Sequence, residues 1–330
     1  MKNVKFAFVA FFEVFPITFG SSVVCGSLFN HWPYTKKYFQ LSNKKNLPKI
    51  DNTFYFKNSL GKLFAIPLLF ISLKKYLNSK NNFIIIEGAS WIGFSYFLIL
   101  LCKIFLKNTK IIYKSHSIEY EIRKNNSNFI ISKITKFLER KVLLISDLST
   151  SVSAFEQKKF FKYYQIKTFL FFNTIEFFNK KIQNVINETY IIFAGSYDYK
   201  PNSYSINQLV NYIMPELIKK KIRIKLYILG NKTLKYKRYW LKTFFSSKKN
   251  YLKLLKNSLA LVVPSNESYG SKIKIIEALC YGVPVITSRI GLTGISKIDK
   301  YQPLLSKDNN KSMVSLIEKI YKSSVHKKKN

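Results

Sequence analysis

Residues 264 to 288 run Pro264-Ser265-Asn266-Glu267-Ser268-Tyr269-Gly270-Ser271-Lys272-Ile273-Lys274-Ile275-Ile276-Glu277-Ala278-Leu279-Cys280-Tyr281-Gly282-Val283-Pro284-Val285-Ile286-Thr287-Ser288. The apolar run ending at Pro264 reads as a strand, and a loop with Gly270 follows it. A helix is then expected over Ser271–Tyr281, with Ser271 as its cap and Gly282 as its stop. A helix start offers unbonded N–H groups and partial positive charge, which together favour a phosphate by roughly 0.3–2 kcal/mol. Gly270 lets a diphosphate approach the backbone, and Lys272 and Lys274 add point charges to the first turn. Glu277 projects from the same helix as an acceptor for a ribose diol, a bond of roughly 1.5–3 kcal/mol. The chemistry would be recognition of a nucleoside diphosphate. An ordinary strand–turn–helix corner with solvated lysines has the same pattern.

The elements that must hold this segment alternate in the manner of βαβ units and parallel sheets. In the first half, strands are expected at Val4–Phe12, Phe83–Glu87, Ile111–Lys114, Leu148–Val152 and Thr168–Phe172. Between them lie helices from about Ser21, over Leu60–Tyr76 and Trp91–Leu106, and from about Ser132 to Leu144. A further helix is capped by Ser153, with Glu156 completing a capping box. The polar, lysine-rich stretch Phe177–Glu188 reads as a linker. Strand Tyr190–Ala194 then restarts the pattern, followed by a helix over Ser203–Lys219 and strands at Lys225–Leu229, Ser258–Pro264 and Val283–Thr287. The expectation is an α/β protein of two Rossmann-like doubly wound domains facing across a cleft, 1–180 and 181–330. Ligands belong at the strands' C-terminal ends, and the tail Lys327–Lys329 is expected to fray.

The chain carries 55 basic and 17 acidic residues among 330, a net charge of +38. That balance admits a polyanionic partner. Only Arg123, Arg140, Arg223, Arg238 and Arg289 are arginines, however, and the lysines run along the whole length. Base readers favour the bidentate guanidinium, so compositional drift explains the charge better than nucleic-acid binding. Attraction to an anionic membrane surface would be a by-product. Cys25, Cys102 and Cys280 form no disulfide or zinc pattern, which fits a reducing cytoplasm, and no metal site is expected. Glu13 interrupts the apolar N-terminal run, so a buried strand is expected there rather than a signal peptide. Trp91 to Phe105 would span roughly 23 Å as a helix, short of a ~30 Å hydrocarbon core.

The run Gly270 to Thr287, with its helix glutamate and its Gly282-Val283-Pro284-Val285 exit, resembles the nucleotide-sugar site of GT-B glycosyltransferases, specifically glycosyltransferase family 4 (glycosyl transferases group 1). Gly291-Leu292-Thr293-Gly294 resembles that family's next loop. Phe193-Ala194-Gly195-Ser196-Tyr197-Asp198-Tyr199-Lys200-Pro201-Asn202 resembles the first strand and loop of its C-terminal domain in one branch, and Leu229-Gly230 the end of the next strand. Pro16 to Ser22, His116-Ser117-Ile118-Glu119-Tyr120 and Asn173 match more loosely. Many members carry two glutamates eight positions apart. Here Tyr269 stands eight before Glu277, and Glu267 lies two residues earlier.

The resemblance implies hexosyl transfer from a nucleotide-diphosphate sugar with retention at the anomeric carbon. The acceptor would be a glycan or lipid-linked molecule, in polysaccharide biosynthesis at the inner membrane face. It places Gly20, Gly195, Lys200, Gly270, Ser271, Lys274 and Glu277 around the donor, and His116, Lys272 and Glu267 at the chemistry. His116, with Glu119 as its neighbour, would contact the sugar or aid proton transfer; a structural histidine at a strand end is the other reading. Gly20 would let the early loop close over the diphosphate, or is a turn glycine. Protein cations would stabilise the leaving diphosphate without a metal, in keeping with the lack of an Asp-x-Asp pair, and no cofactor beyond the donor is expected. Tyr269 leaves open a catalytically silent partner protein of the same fold, and the net charge a nucleic-acid-binding protein.

Overall fold

The structure is a computed structural model that describes residues 4–18, 20–43, 52–56, 61–78, 81–176, 188–230, 238–244, 248–267, 272–295, 303–306 and 309–329. The described residues up to Glu176 form one compact unit and those from residue 188 onward form a second.

The first unit contains β1 (Val4–Ala10), α1 (Ser21–His31), β2 (Thr35–Ser42), β3 (Thr53–Tyr55), α2 (Gly61–Tyr76), β4 (Asn81–Gly88) and α3 (Ile92–Phe105). It continues through β5 (Thr109–Ser115), α4 (Glu119–Asn126), α5 (Phe129–Ile145), β6 (Leu148–Ser151), α6 (Ala154–Tyr164) and β7 (Phe169–Leu170). The strands are all parallel, in the order β3-β2-β1-β4-β5-β6-β7. Alternation along β1 explains the layering. Phe6, Phe8 and Ala10 pack with Val14 and Cys25 on the α1 side. Ala7 and Val9 pack with α2, α3, α5 and α6 on the other. Strand order reverses at β1, between β2 and β4, so the connections after β1 and β4 leave to opposite sides of the sheet and open a crevice at the strands' C-terminal ends.

The second unit contains β8 (Tyr190–Ala194), α7 (Lys200–Gln208), a π-helical turn at Leu209–Ile213, α8 (Met214–Lys219), β9 (Lys225–Leu229), β10 (Leu241–Phe244) and α9 (Lys248–Lys256). Then come β11 (Ala260–Val263), α10 (Ile273–Cys280), β12 (Val285–Thr287), β13 (Leu304–Leu305) and α11 (Asn310–Lys329). This sheet is also parallel, ordered β10-β9-β8-β11-β12-β13. Its central strands are buried on both faces, which is why Tyr190–Ala194 and Ala260–Val263 read as unbroken apolar runs.

Several elements depart from expectation. α5 begins at Phe129 rather than Ser132, because the Asn128 side chain accepts from Ile131 N at 2.9 Å and serves as the cap. α10 begins at Ile273 with Lys272 in the cap position; Ser271, expected as the cap, lies outside the described residues. α11 carries through Lys329, into the tail expected to fray. Strands β2 and β10 and helices α4 and α9 had no clear sequence signal. The Ser153 cap is present: its hydroxyl accepts from Glu156 N at 3.2 Å.

One buried carboxylate joins three helices. Ile118, in the cap position of α4, offers no side-chain acceptor. Glu139 of α5 replaces it, accepting from Glu119 N at 2.8 Å, Tyr120 N at 3.1 Å and Tyr164 Oη at 2.5 Å. Burial pushes the Glu139 pKa up to about 7, against the lowering pull of these donors. Between the ordinary value of 4.5 and about 7 the folded chain therefore holds a proton that the unfolded chain has released, and this contribution to stability falls as pH rises. Glu139→Ala should lower the unfolding free energy by about 2–4 kcal/mol, since it strands two amide donors. In urea titrations across pH, the gap from wild type should be widest below about pH 4.5 and narrow through 7.

Candidate functional site

In the second unit, the ends of β8 and β11 and the start of α10 are knitted together. The Ser205 hydroxyl donates to Pro264 C=O at 2.8 Å, and the Ser288 hydroxyl to Ser265 C=O at 2.6 Å, so the exit of β11 is held from two sides. α10 has no side-chain cap and no acid in its first turn, which leaves its positive end unneutralised by those means. It stops at Gly282, whose φ of 69° is the left-handed conformation favouring glycine. There Val283 N donates to Ala278 C=O at 2.9 Å.

Lys274 is the centre of this corner. Its ammonium donates to Asn202 Oδ1 at 2.8 Å and lies 4.2 Å from the centroid of the Phe193 ring of β8. Although the residue as a whole is only half-buried, its charged end is the enclosed part. Burial, with the Lys272 charge added, pulls its pKa down to about 7. Asn202 in turn donates to Ser196 C=O at 3.1 Å and so pins the loop after β8. Gly195 is required there, since a Cβ would lie 2.6 Å from the Asn202 side-chain amide. Lys272 donates to Glu267 C=O at 3.0 Å, and burial lowers its pKa against the raising effect of the Glu267 charge. Glu267 Oε2 is buried and takes no hydrogen bond among the described residues. Glu277, only 6% exposed, follows Lys274 by three residues, the spacing that puts two side chains on one helix face.

The structure thus joins Gly195 to Lys274 through Asn202, and Lys272 to Glu267. Lys200 stands apart, exposed at the start of α7. Tyr269, Gly270 and Ser271 lie outside the described residues. Asn202 and Phe193 were not singled out from the sequence, although both lie in the motif that includes Gly195; the adjacency of Pro201-Asn202 to a strand end was the available signal.

In the first unit, Gly20 (φ 61°) immediately precedes α1. His116 follows β5 and is buried. Its Nε2 meets Glu87 Oε2 at 2.6 Å, Lys114 Nζ at 3.3 Å and Cys25 Sγ at 3.6 Å. Lys114 Nζ also donates to Glu87 Oε2 at 3.0 Å. Burial alone would raise the Glu87 pKa, but the Lys114 charge and the His116 hydrogen bond hold it at about 2. Burial first, then the Lys114 charge, lowers that of His116. A neutral ring facing a carboxylate must carry its proton on Nε2, leaving Nδ1, which has no partner among the described residues, as the acceptor. The neighbour expected for His116 was Glu119. That residue instead pairs with Arg123 at 2.7 Å, because the helical i,i+4 spacing turns it away from the strand end. Glu87, which closes an apolar strand run, was the sequence signal missed. Cys25, Glu87 and His116 lie close enough to hold a cation, but the Lys114 ammonium already supplies that charge.

Residues 188–323 match the family model Glycosyl transferases group 1. No curated protein matches the sequence. Among solved structures, sucrose-phosphate synthase from Thermosynechococcus elongatus is similar at 14% identity and TM-score 0.69, over 96% of this chain and 90% of that one. The UDP-forming α,α-trehalose-phosphate synthase of Burkholderia vietnamiensis is similar at 8% identity and TM-score 0.66, over 96% and 91%. Anabaena HepE in complex with UDP-glucose is similar at 11% identity and TM-score 0.65, over 97% and 90%. The chain has the GT-B fold of these glycosyltransferases, with two Rossmann-like parallel-sheet halves.

The buried charges of the first unit make a direct test. Lys114→Met leaves Glu87 without its ammonium and should cost about 3–5 kcal/mol in urea unfolding. Adding Glu87→Gln to that variant should recover most of the loss, because the uncompensated charge is then gone.

Proposed function

We propose that this chain is a retaining glycosyltransferase of family 4 that moves a hexosyl group from a nucleotide-diphosphate sugar to a glycan or lipid-linked acceptor. The setting we infer is cell-surface polysaccharide synthesis on the cytoplasmic side of the membrane, with no cofactor beyond the donor and no nucleic-acid partner. The observation that carries this reading is the corner between β11 and α10, where a helix start without a side-chain cap among the described residues, two desolvated lysines and a buried glutamate fall within the first two turns. The family model spans this corner, and a protein of the same fold binds UDP-glucose.

The geometry suits charge that grows on a leaving diphosphate. Lysines held in place before reaction need no reorganisation, and outside bulk water their charge acts strongly. Lys274 would become fully protonated when a phosphate arrives, since its pKa near 7 leaves the charge available on demand. Gly270 and Ser271 would serve the phosphates, with Gly195 bordering the donor within the second unit. Glu277 would grip the ribose diol. The unpartnered oxygen of Glu267 would accept a sugar hydroxyl in place of the acid that Tyr269 displaces. His116 Nδ1, in the first unit, would serve as acceptor for a hydroxyl of sugar or acceptor.

Saturating UDP, at about 100 times its dissociation constant, should stabilise the protein by about 2.7 kcal/mol in a thermal melt, and Glu277→Gln should shrink that shift. UDP affinity should weaken as pH rises through about 7, where free Lys274 loses its proton, and Lys274→Met should flatten that profile. Identical melts for both proteins with every nucleotide tried would refute the site. Stabilisation without release of diphosphate from any nucleotide sugar would identify a silent partner of the same fold, the reading that Tyr269 supports.

A further inference from the structure

Helices α2, α3 and α5 lie side by side over one face of the first sheet, where Leu69, Leu98 and Val142 point into its core. Their outward faces are apolar as well. On α2, Phe64 (80% exposed), Leu68 and Ile71 recur at helical spacing; on α5, Ile130, Ile134 and Phe137 do the same, beside Phe129 (70% exposed). Exposed apolar side chains are usual when scattered singly, but a contiguous patch marks a docking surface.

The charges on this face identify its partner. Lys74 and Lys75 end α2, and Lys133, Lys136, Arg140 and Lys141 run along α5. Glu139 is the only acid in the three helices, and it is turned inward to cap α4. The three helices therefore present cations among exposed apolar groups and no exposed carboxylate of their own; the nearest is Asp147, which pairs with Lys103 at the end of α3 at 2.7 Å. Lys133 lies over the Phe129 ring at 4.3 Å and Lys141 over Phe137 at 5.5 Å, so ammonium groups stand beside the apolar rings rather than away from them. Apolar groups that would enter an acyl layer, interleaved with cations that would meet lipid phosphates, complement an anionic bilayer surface. Among the described residues no helix is long and apolar enough to cross a membrane, so the contact would be peripheral.

We propose that the outward face of α2, α3 and α5 is a membrane-docking surface that lies on anionic lipid, with Phe129 and Ile130 seated at the boundary between headgroups and acyl chains. The proposal stands independently of the glycosyltransferase reading. Its test is co-sedimentation of the full chain with phosphatidylcholine vesicles, with and without phosphatidylglycerol. The wild type should partition onto the anionic vesicles. Phe129→Ser with Ile130→Ser, which leaves the net charge untouched, should lower that partition about tenfold or more. Phe64→Ser with Leu68→Ser should act in the same direction through a different helix, and Tyr239→Ser, an exposed aromatic of the second unit, should change nothing. Circular dichroism melts check that each variant folds. The proposal is overturned if the wild type stays in the supernatant with both vesicles, or if both serine pairs bind as the wild type does, since attraction then belongs to the diffuse charge. It is equally overturned if, without lipid, the wild type self-associates and the serine pairs are monomeric, which would make the face an interface between two copies.

Discussion

The candidate site of the second unit is organised by a hydrogen bond between a lysine and an asparagine 72 positions apart in the chain. Lys274 enters from α10, Asn202 from α7, and the Phe193 ring from β8 receives the ammonium on its face. Desolvating an ammonium is costly, and the Asn202 carbonyl oxygen and the Phe193 face replace only part of the lost water, so burial still pulls the Lys274 pKa down to about 7. The result is a corner whose backbone turns, at Gly195 and at the start of α10, are fixed relative to each other. The nucleotide recognition proposed for this corner would need that rigidity, because donors aimed at a phosphate act without reorganising only if they are already in place.

The first unit meets the same difficulty by a different route. Glu87 and Lys114 are charges in a nearly solvent-free interior, and their mutual attraction, with the His116 ring as a further donor, offsets the loss of water. The pair also sets the proton on His116 Nε2, so a structural ion pair decides which nitrogen is left to accept. Glu139 is handled differently. It meets amide and hydroxyl donors but no cation, and its pKa rises where that of Glu87 falls. Two buried carboxylates in one unit are thus driven in opposite directions by what faces them.

A net charge of +38 says little about function until it is located. Most of the lysines are consistent with compositional drift. The face of α2, α3 and α5 is distinguished by having its cations interleaved with exposed phenylalanine and isoleucine and by turning its one acid inward. Charge complementarity there comes from arrangement rather than from number.

The alternation of short apolar runs with helical stretches was enough to read two parallel α/β halves, because strands buried on both faces must be continuously apolar. Tyr190–Ala194 and Lys225–Leu229 were legible to the residue for that reason. At the corner from Gly270 to Thr287 the helix and the strand after it were legible, while its glycine, lysines and glutamate suggested a phosphate site without setting it apart from an ordinary strand–turn–helix corner. β2 was not legible, because Thr35-Lys36-Lys37 opens it with residues that elsewhere mark a loop. Which side chains would meet was beyond the sequence as well. Glu87 and His116 are 29 positions apart and become neighbours only when β4 and β5 pair in register, just as Asn202 meets Lys274 only because β8 and β11 are neighbours in the second sheet. Local pattern determines which residues form a strand or a helix turn, because it acts through nearby backbone and burial period. Partners for buried charge are chosen by strand pairing and packing, which act between segments that the linear order keeps apart.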